Sequence, residues 1–293
     1  MKLYILFVTA IAGIGCLSMG ANAPNIASAS ETNTQAQTEM NQTDNASGDF
    51  YKNLPPGFEK PDDDAGRLLL REYGAVYLAR GGAIPPTKVV FRDEADVLAF
   101  QATVQRSAKT IGGTKVELQA AAINALTDAI NEAAKAGLTI GPRGLDSARR
   151  GYDQTVSLWA SRVNPGFAHW VGKGRVTQAE ANRIKALSPY QQVPEILKLE
   201  QQGIYFAKSL DKSIIYSVAP PGTSQHLSML AFDVKEFDNA QVRAIMAKHG
   251  WFQTVASDLP HFTYIGVAES ELQGLGLKKV IDSGRIFWVP DIL

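Results

Sequence analysis

The chain is nearly without cysteine. Cys16 is the single one in 293 residues, and it lies inside the apolar run MKLYILFVTAIAGIGCLSMGANA. That excludes an intrachain disulfide framework, which a domain of this size does not need, and it excludes a metal site built on several thiolates. Net charge is also missing, since Lys plus Arg and Asp plus Glu number 29 each. A balanced chain offers no electrostatic case for nucleic acid, and a small neutral or zwitterionic ligand suits it better than a polyanion. Histidine is scarce as well, at four residues, so two of them close to one Asp stand out.

The longest apolar run opens the chain. Residues 1–23 combine one Lys, a continuous apolar core and small residues at the end, the arrangement of a secretory signal peptide. The chain therefore reads as exported, to a periplasm or cell wall. The run is near the lower limit for a membrane span, and Cys16 is where a lipid anchor would attach. Residues 24–60 are rich in Asn, Thr, Ser, Gln and Ala and carry too little apolar surface to offset the entropy of ordering, so they read as a flexible polar linker.

Beyond the linker, helical and extended patterns mix. Asp62 to Asp64 open a helix with Leu68, Leu69, Tyr73, Val76 and Tyr77 at helical spacing; KVVF suggests a strand, and Asp93 caps a helix running to about Lys109. Residues 61–113 thus read as a helical N-terminal extension, and 114–293 as the main domain. Within that domain Thr114 to Ala136 reads as one helix, with Leu118, Ile123, Leu126 and Ile130 on one face and Gly137 as its stop. LTIG and SIIYSV read as strands. Thr177 with Glu180 forms a capping box, and helices follow over SPYQQVPEILKLEQQG and DNAQVRAIMAKHG. WFQTV and HFTYIG are strands, and a short helix and an edge strand ending at Pro290 close the chain. The sum is an α+β fold, with helices packed around a small, mainly antiparallel sheet.

The chemistry concentrates in SQHLSMLAFDV, residues 224–234, and SDLPHFTYIG, residues 257–266. LAFDV is short, apolar and bounded by polar residues, a buried strand with Asp233 near its end, and the APPGTS stretch before it is a loop. His226 then sits at a loop exit and His261 at the start of a second strand. Two neighbouring strands bring His226, Asp233 and His261 together, and two imidazoles with a carboxylate suit a zinc ion with one open position.

Ser224, His226, Ala231 and Asp233 fall on the fixed positions of the SxHxxGxAxD motif, with Met229 in place of Gly, and Asp258, His261, Phe262 and Tyr264 resemble ExxH followed by an aromatic and a Tyr. In these segments the chain resembles the VanY-like D-alanyl-D-alanine carboxypeptidases, zinc peptidases of the LAS group that act on bacterial cell-wall peptides. The resemblance covers roughly residues 115–290. It implies one zinc on His226, Asp233 and His261, Asp258 in the place of the family's general base Glu, and peptidoglycan stem peptides as substrate, cut most simply at the terminal D-Ala-D-Ala bond. Aligning DSARRGYDQ with the family's SGYRSxxxQ puts Gln154 on the Gln and Arg149 on the Arg that faces substrate. Ser224, Gln154 and Tyr264 become substrate-binding or orienting residues. Because Asp is one methylene shorter than Glu, a catalytically silent peptidoglycan-binding protein stays open as an alternative; because the choice of scissile bond depends on whether the groove is closed beyond the carboxyl end of the substrate, so does an endopeptidase of the same metal class.

Overall fold

The computed structural model describes residues 49–292; the expected signal segment, Cys16 and most of the expected linker lie outside the described residues. The fold is α+β with small antiparallel sheets. Its helices are α1 (Asp64–Tyr73), α2 (Glu94–Thr103), α3 (Ala120–Lys135), α4 (Tyr152–Gly172), α5 (Gln178–Lys185), α6 (Pro189–Glu200) and α7 (Ala240–Lys248). Three sheets accompany them: β1 (Arg106–Ile111) with β2 (Thr114–Gln119), β3 (Ala231–Asp233) and β4 (Trp251–Phe252) on either side of β5 (His261–Tyr264), and β6 (Leu277–Asp282) with β7 (Arg285–Pro290). No helix of the described residues is long and apolar enough to cross a membrane.

Local chemistry sets the boundaries. Asp63 caps α1 by accepting from the Gly66 amide, Asp93 caps α2 through Asp96, and Ser188 with Gln191 forms a capping box on α6. The expected helix over Thr114 to Ala136 begins only at Ala120. Residues 114–119 instead form β2, paired residue for residue with β1 from Ile111↔Thr114 to Arg106↔Gln119. The turn is Gly112-Gly113, both at positive φ (55° and 82°), which two-residue hairpins of this hand require and glycine supplies without strain. The same hairpin ends α2 at Thr103, well short of Lys109, and places the expected boundary at 113/114 inside a β-turn.

Other expectations shift for similar reasons. KVVF and LTIG are not strands; each neighbourhood contributes an isolated bridge, Glu59↔Lys88 and Pro142↔Val234. SIIYSV contains a 3₁₀ turn, Ile214–Tyr216. The C-terminal segment folds as two paired strands rather than one. Folded structure starts before residue 60, since Phe50 is fully buried against Gly276 and Gly74. One hydrophobic cluster links Leu69, Leu70 and Tyr73 of α1, Ile123 and Leu126 of α3, Trp159 and Phe167 of α4, and Phe232 and Phe262 of β3 and β5. Trp159 and Phe167 are therefore core, as is Trp251.

Candidate metal centre

The centre is built on the β3–β5 pair. Their register sets Asp233 opposite His261, so the last residue of one strand and the first of the next are neighbours. His226 comes from a 3₁₀ turn, Gln225–Ser228, just before β3. Its terminating residue is Met229, at φ 57° and ψ 31°. This left-handed conformation is free to the glycine of the resembled motif and costs another residue roughly 1–2 kcal/mol. Met229 is fully buried, and burial of its side chain, worth about 1.5–3 kcal/mol, offsets that strain. The substitution therefore preserves the turn.

One donor atom from each of His226, Asp233 and His261 lies within 4.8 Å of the others, and all three residues are buried. Asp233 Oδ1 is 3.2 Å from His226 Nε2 and 3.3 Å from His261 Nδ1. The outer ring nitrogens are already engaged: His226 Nδ1 donates to the carbonyl of Ala148 at 2.7 Å, and His261 Nε2 meets Gln225 Oε1 at 2.8 Å. Since a carbonyl and an amide oxygen only accept, both outer nitrogens carry the proton. The inner nitrogens, His226 Nε2 and His261 Nδ1, both face the Asp233 carboxylate, and in the neutral rings each offers a lone pair to a cation held among the three side chains. His226 Nε2 is buried without a hydrogen-bond partner, an orphan that a bound cation would satisfy. Two neutral imidazoles and a carboxylate converging in this way can hold a divalent metal ion, and the donor set fits zinc.

Charge states agree with that use. Burial pushes the His226 imidazole down, toward its neutral form. Burial alone would raise Asp233, but the imidazoles of His226 and His261 outweigh it and hold the carboxyl well below the usual range.

The segment before α4 closes one side. Asp233 donates its amide to Ser147 O at 2.8 Å and accepts from the Arg143 amide at 2.9 Å. This brings Arg150, not Arg149, onto the metal centre: Arg150 Nη2 donates to Asp233 Oδ2 at 2.7 Å. Arg149 turns away, its Nε on Gln101 at 2.8 Å and its Nη1 on Glu117 at 3.2 Å. The alignment on Gln154 erred because these residues precede the helix in irregular backbone, where spacing does not fix the direction of a side chain. Gln154 itself caps α4 by accepting from the Gly151 amide at 2.8 Å.

An open cavity of about 270 Å³ leads to the cluster, lined among others by Ser224, Gln225, Asp258 and Arg150. Ser224 is buried at its edge. Asp258 is exposed, between two turns in which its amide donates to Val255 O at 3.0 Å and its carbonyl accepts from the His261 amide at 3.1 Å. Tyr264 is elsewhere. Along β5 side chains alternate, so His261 and Thr263 face Gln225 while Tyr264 packs on Trp251 at 5.3 Å on the opposite face.

Gln225 is the residue that the motif pattern missed. Fully enclosed, it accepts from Thr263 Oγ1 and pairs with His261 through Oε1, and donates from Nε2 to Tyr73 O at 2.8 Å. It thus fixes the His261 ring and its tautomer. A Gln beside a ligand His carries no signal of this in the sequence. Compared with protein-family models, curated proteins and solved structures, the chain gives no match.

Proposed function

We propose that the chain is an exported zinc metallopeptidase, similar in kind to the VanY-like carboxypeptidases, that hydrolyses peptidoglycan stem peptides and most simply removes the terminal D-Ala. The observation that carries this reading is the convergence of His226 Nε2 and His261 Nδ1 on Asp233, both rings locked by their outer nitrogens, in the lining of an open cavity. Bound there, zinc would polarise a scissile carbonyl and acidify water. The other roles fall to the chain. Asp258 makes no side-chain hydrogen bond among the described residues and lines the cavity, so it is free to take a proton from the attacking water and return it to the leaving amine. Arg150 orients Asp233 and takes over the cationic role assigned by resemblance to Arg149. Ser224, at the cavity edge, orients substrate; the geometry favours no such role for Gln154 or Tyr264.

The test uses the purified full chain supplied with zinc and muropeptides ending in D-Ala-D-Ala, with mass spectrometry of products before and after chelation. Loss of one alanine that stops with chelator is the expected result. Cleavage elsewhere in the stem keeps the metal chemistry and reassigns the enzyme as an endopeptidase. Stoichiometric zinc without cleavage selects the silent peptidoglycan-binding alternative, which the shorter Asp258 motivates; in that case Asp258→Glu should raise a near-zero rate.

A further inference from the structure

The cavity carries more positive charge than this mechanism uses. Arg143, Arg150 and Arg162 line it, against the carboxylates of Asp233 and Asp258. Arg150 is committed to Asp233 at 2.7 Å and lies 3.7 Å from Asp146. Arg162 has no acidic partner among the described residues, yet it is held: Nε donates to Ser217 Oγ and Nη1 to Ser161 Oγ, both at 2.9 Å, and Ser217 Oγ also accepts from the Lys208 amide at 3.3 Å. Neutral hydroxyls fix the orientation of the guanidinium without neutralising it. The zero net charge of the whole chain hides this local excess.

The position of Arg162 matters as much as its charge. Thr155, Leu158 and Arg162 share one face of α4, and all three line the cavity. At 1.5 Å per residue Arg162 is about 10 Å along the helix from Thr155. Arg150, on the metal centre, lies just ahead of the same helix. α4 thus lends the cavity wall a stretch of about 10 Å that ends at Arg162, and the His/Asp cluster lines the same cavity. An extended peptide advances about 3.3 Å per residue, so that stretch of wall is about three residues long.

We propose that Arg162 anchors a carboxylate of the substrate on the cavity wall, which makes the cavity selective for acidic peptides. A planar guanidinium with a free edge matches a carboxylate in a bidentate way. The proposal rests on the peptidase reading for its peptide substrate, and the experiment separates the two. The full chain with zinc is titrated with acetyl-Glu-Ala-D-Ala-D-Ala and with its Gln counterpart, and products are analysed in parallel. The Glu peptide should bind ~10-fold tighter, as expected for a charge-assisted hydrogen-bonded pair. That preference should vanish in Arg162→Ala and return in part in Arg162→Lys, with zinc affinity unchanged in both as a check on folding. Equal affinities in the parent chain, or a preference that survives in Arg162→Ala, overturn the anchor; cleavage of both peptides would still keep the peptidase reading. A preference without cleavage keeps the anchor and removes that reading. If neither peptide binds, both fall.

Discussion

Among the described residues two carboxylates are buried, Asp233 beside the cavity and Glu200 at the end of α6, and they are driven in opposite directions. Burial pushes both carboxyls up. At Asp233 the facing imidazoles outweigh it and hold the group ionised. Among the described residues Glu200 accepts from neutral donors alone, the Ser213 hydroxyl and the amides of Phe206 (3.0 Å) and Ile214 (2.7 Å), and it stays above the ordinary range. Desolvation is common to the two; the difference is whether the partners can carry charge. Glu200 pins the chain after α6 to the 3₁₀ turn at Ile214–Tyr216, a structural task. Asp233 is kept as an anion facing the inner ring nitrogens of two histidines, which is what a cation site requires.

The comparison can be broken or sharpened by substitution. The largest effect belongs to Asp233→Ala, which should weaken zinc binding by at least ~10³-fold in calorimetry, since one of only three ligands is gone; retained binding would remove the metal centre altogether. Asp258→Ala supplies the third case, an exposed carboxylate on the cavity wall. Under the proposed mechanism it should lower turnover by about 10²–10⁴-fold and leave zinc affinity unchanged, and a parallel loss of both would make Asp258 a ligand rather than a base. Gln225→Leu should cost 10–100-fold in zinc affinity, the usual effect of releasing a ligand histidine from its support, with Gln225→Glu milder because Oε1 remains. Equal zinc affinity in all three chains would show that the Gln225 contact orients nothing.

The smallest effect is a pH dependence at Glu200. Its folded pKa is raised, so its contribution to stability is complete below the unfolded value and is lost as pH rises through the folded one. Glu200→Gln removes that titration and can keep the acceptor to the two amides. The melting temperature of the variant minus that of the parent should therefore be more favourable to Gln at pH 7 than at pH 4. A difference that is flat, or of the opposite sign, contradicts the raised pKa. Zinc binding should be the same in both proteins, which is the contrast with Asp233.

The legibility of the sequence varied from element to element. Caps were readable at Asp63, Asp93 and Thr177 because each acts on an amide three residues away. β3 and β5 were readable because LAFDV and HFTYIG are short and apolar. The hairpin at Gly112-Gly113 carried a plain signal, two glycines between alternating segments, but the helix propensity of the adjoining alanine-rich stretch concealed it. Tyr264 was also decidable, since two-residue alternation from His261 puts it on the opposite face; matching the family pattern overrode that simple geometry. KVVF and SIIYSV are apolar enough for strands, but KVVF finds a partner only at the single bridge Glu59↔Lys88 and SIIYSV folds into a 3₁₀ turn, whereas a strand needs a continuous partner edge to satisfy its amides.

By itself, then, the sequence determined the α+β class, most helix starts, and the grouping of His226, Asp233 and His261, because each depends on local chemistry or on two adjacent strands. Tertiary structure alone decided that Arg150 rather than Arg149 reaches Asp233, that Gln225 holds His261, and that Arg162 lines the cavity with no acidic partner among the described residues. Those outcomes depend on where irregular backbone at 143–150 lies against β3 and on contacts between residues far apart in the chain, such as Gln225 with Tyr73. Spacing along a chain carries no record of them.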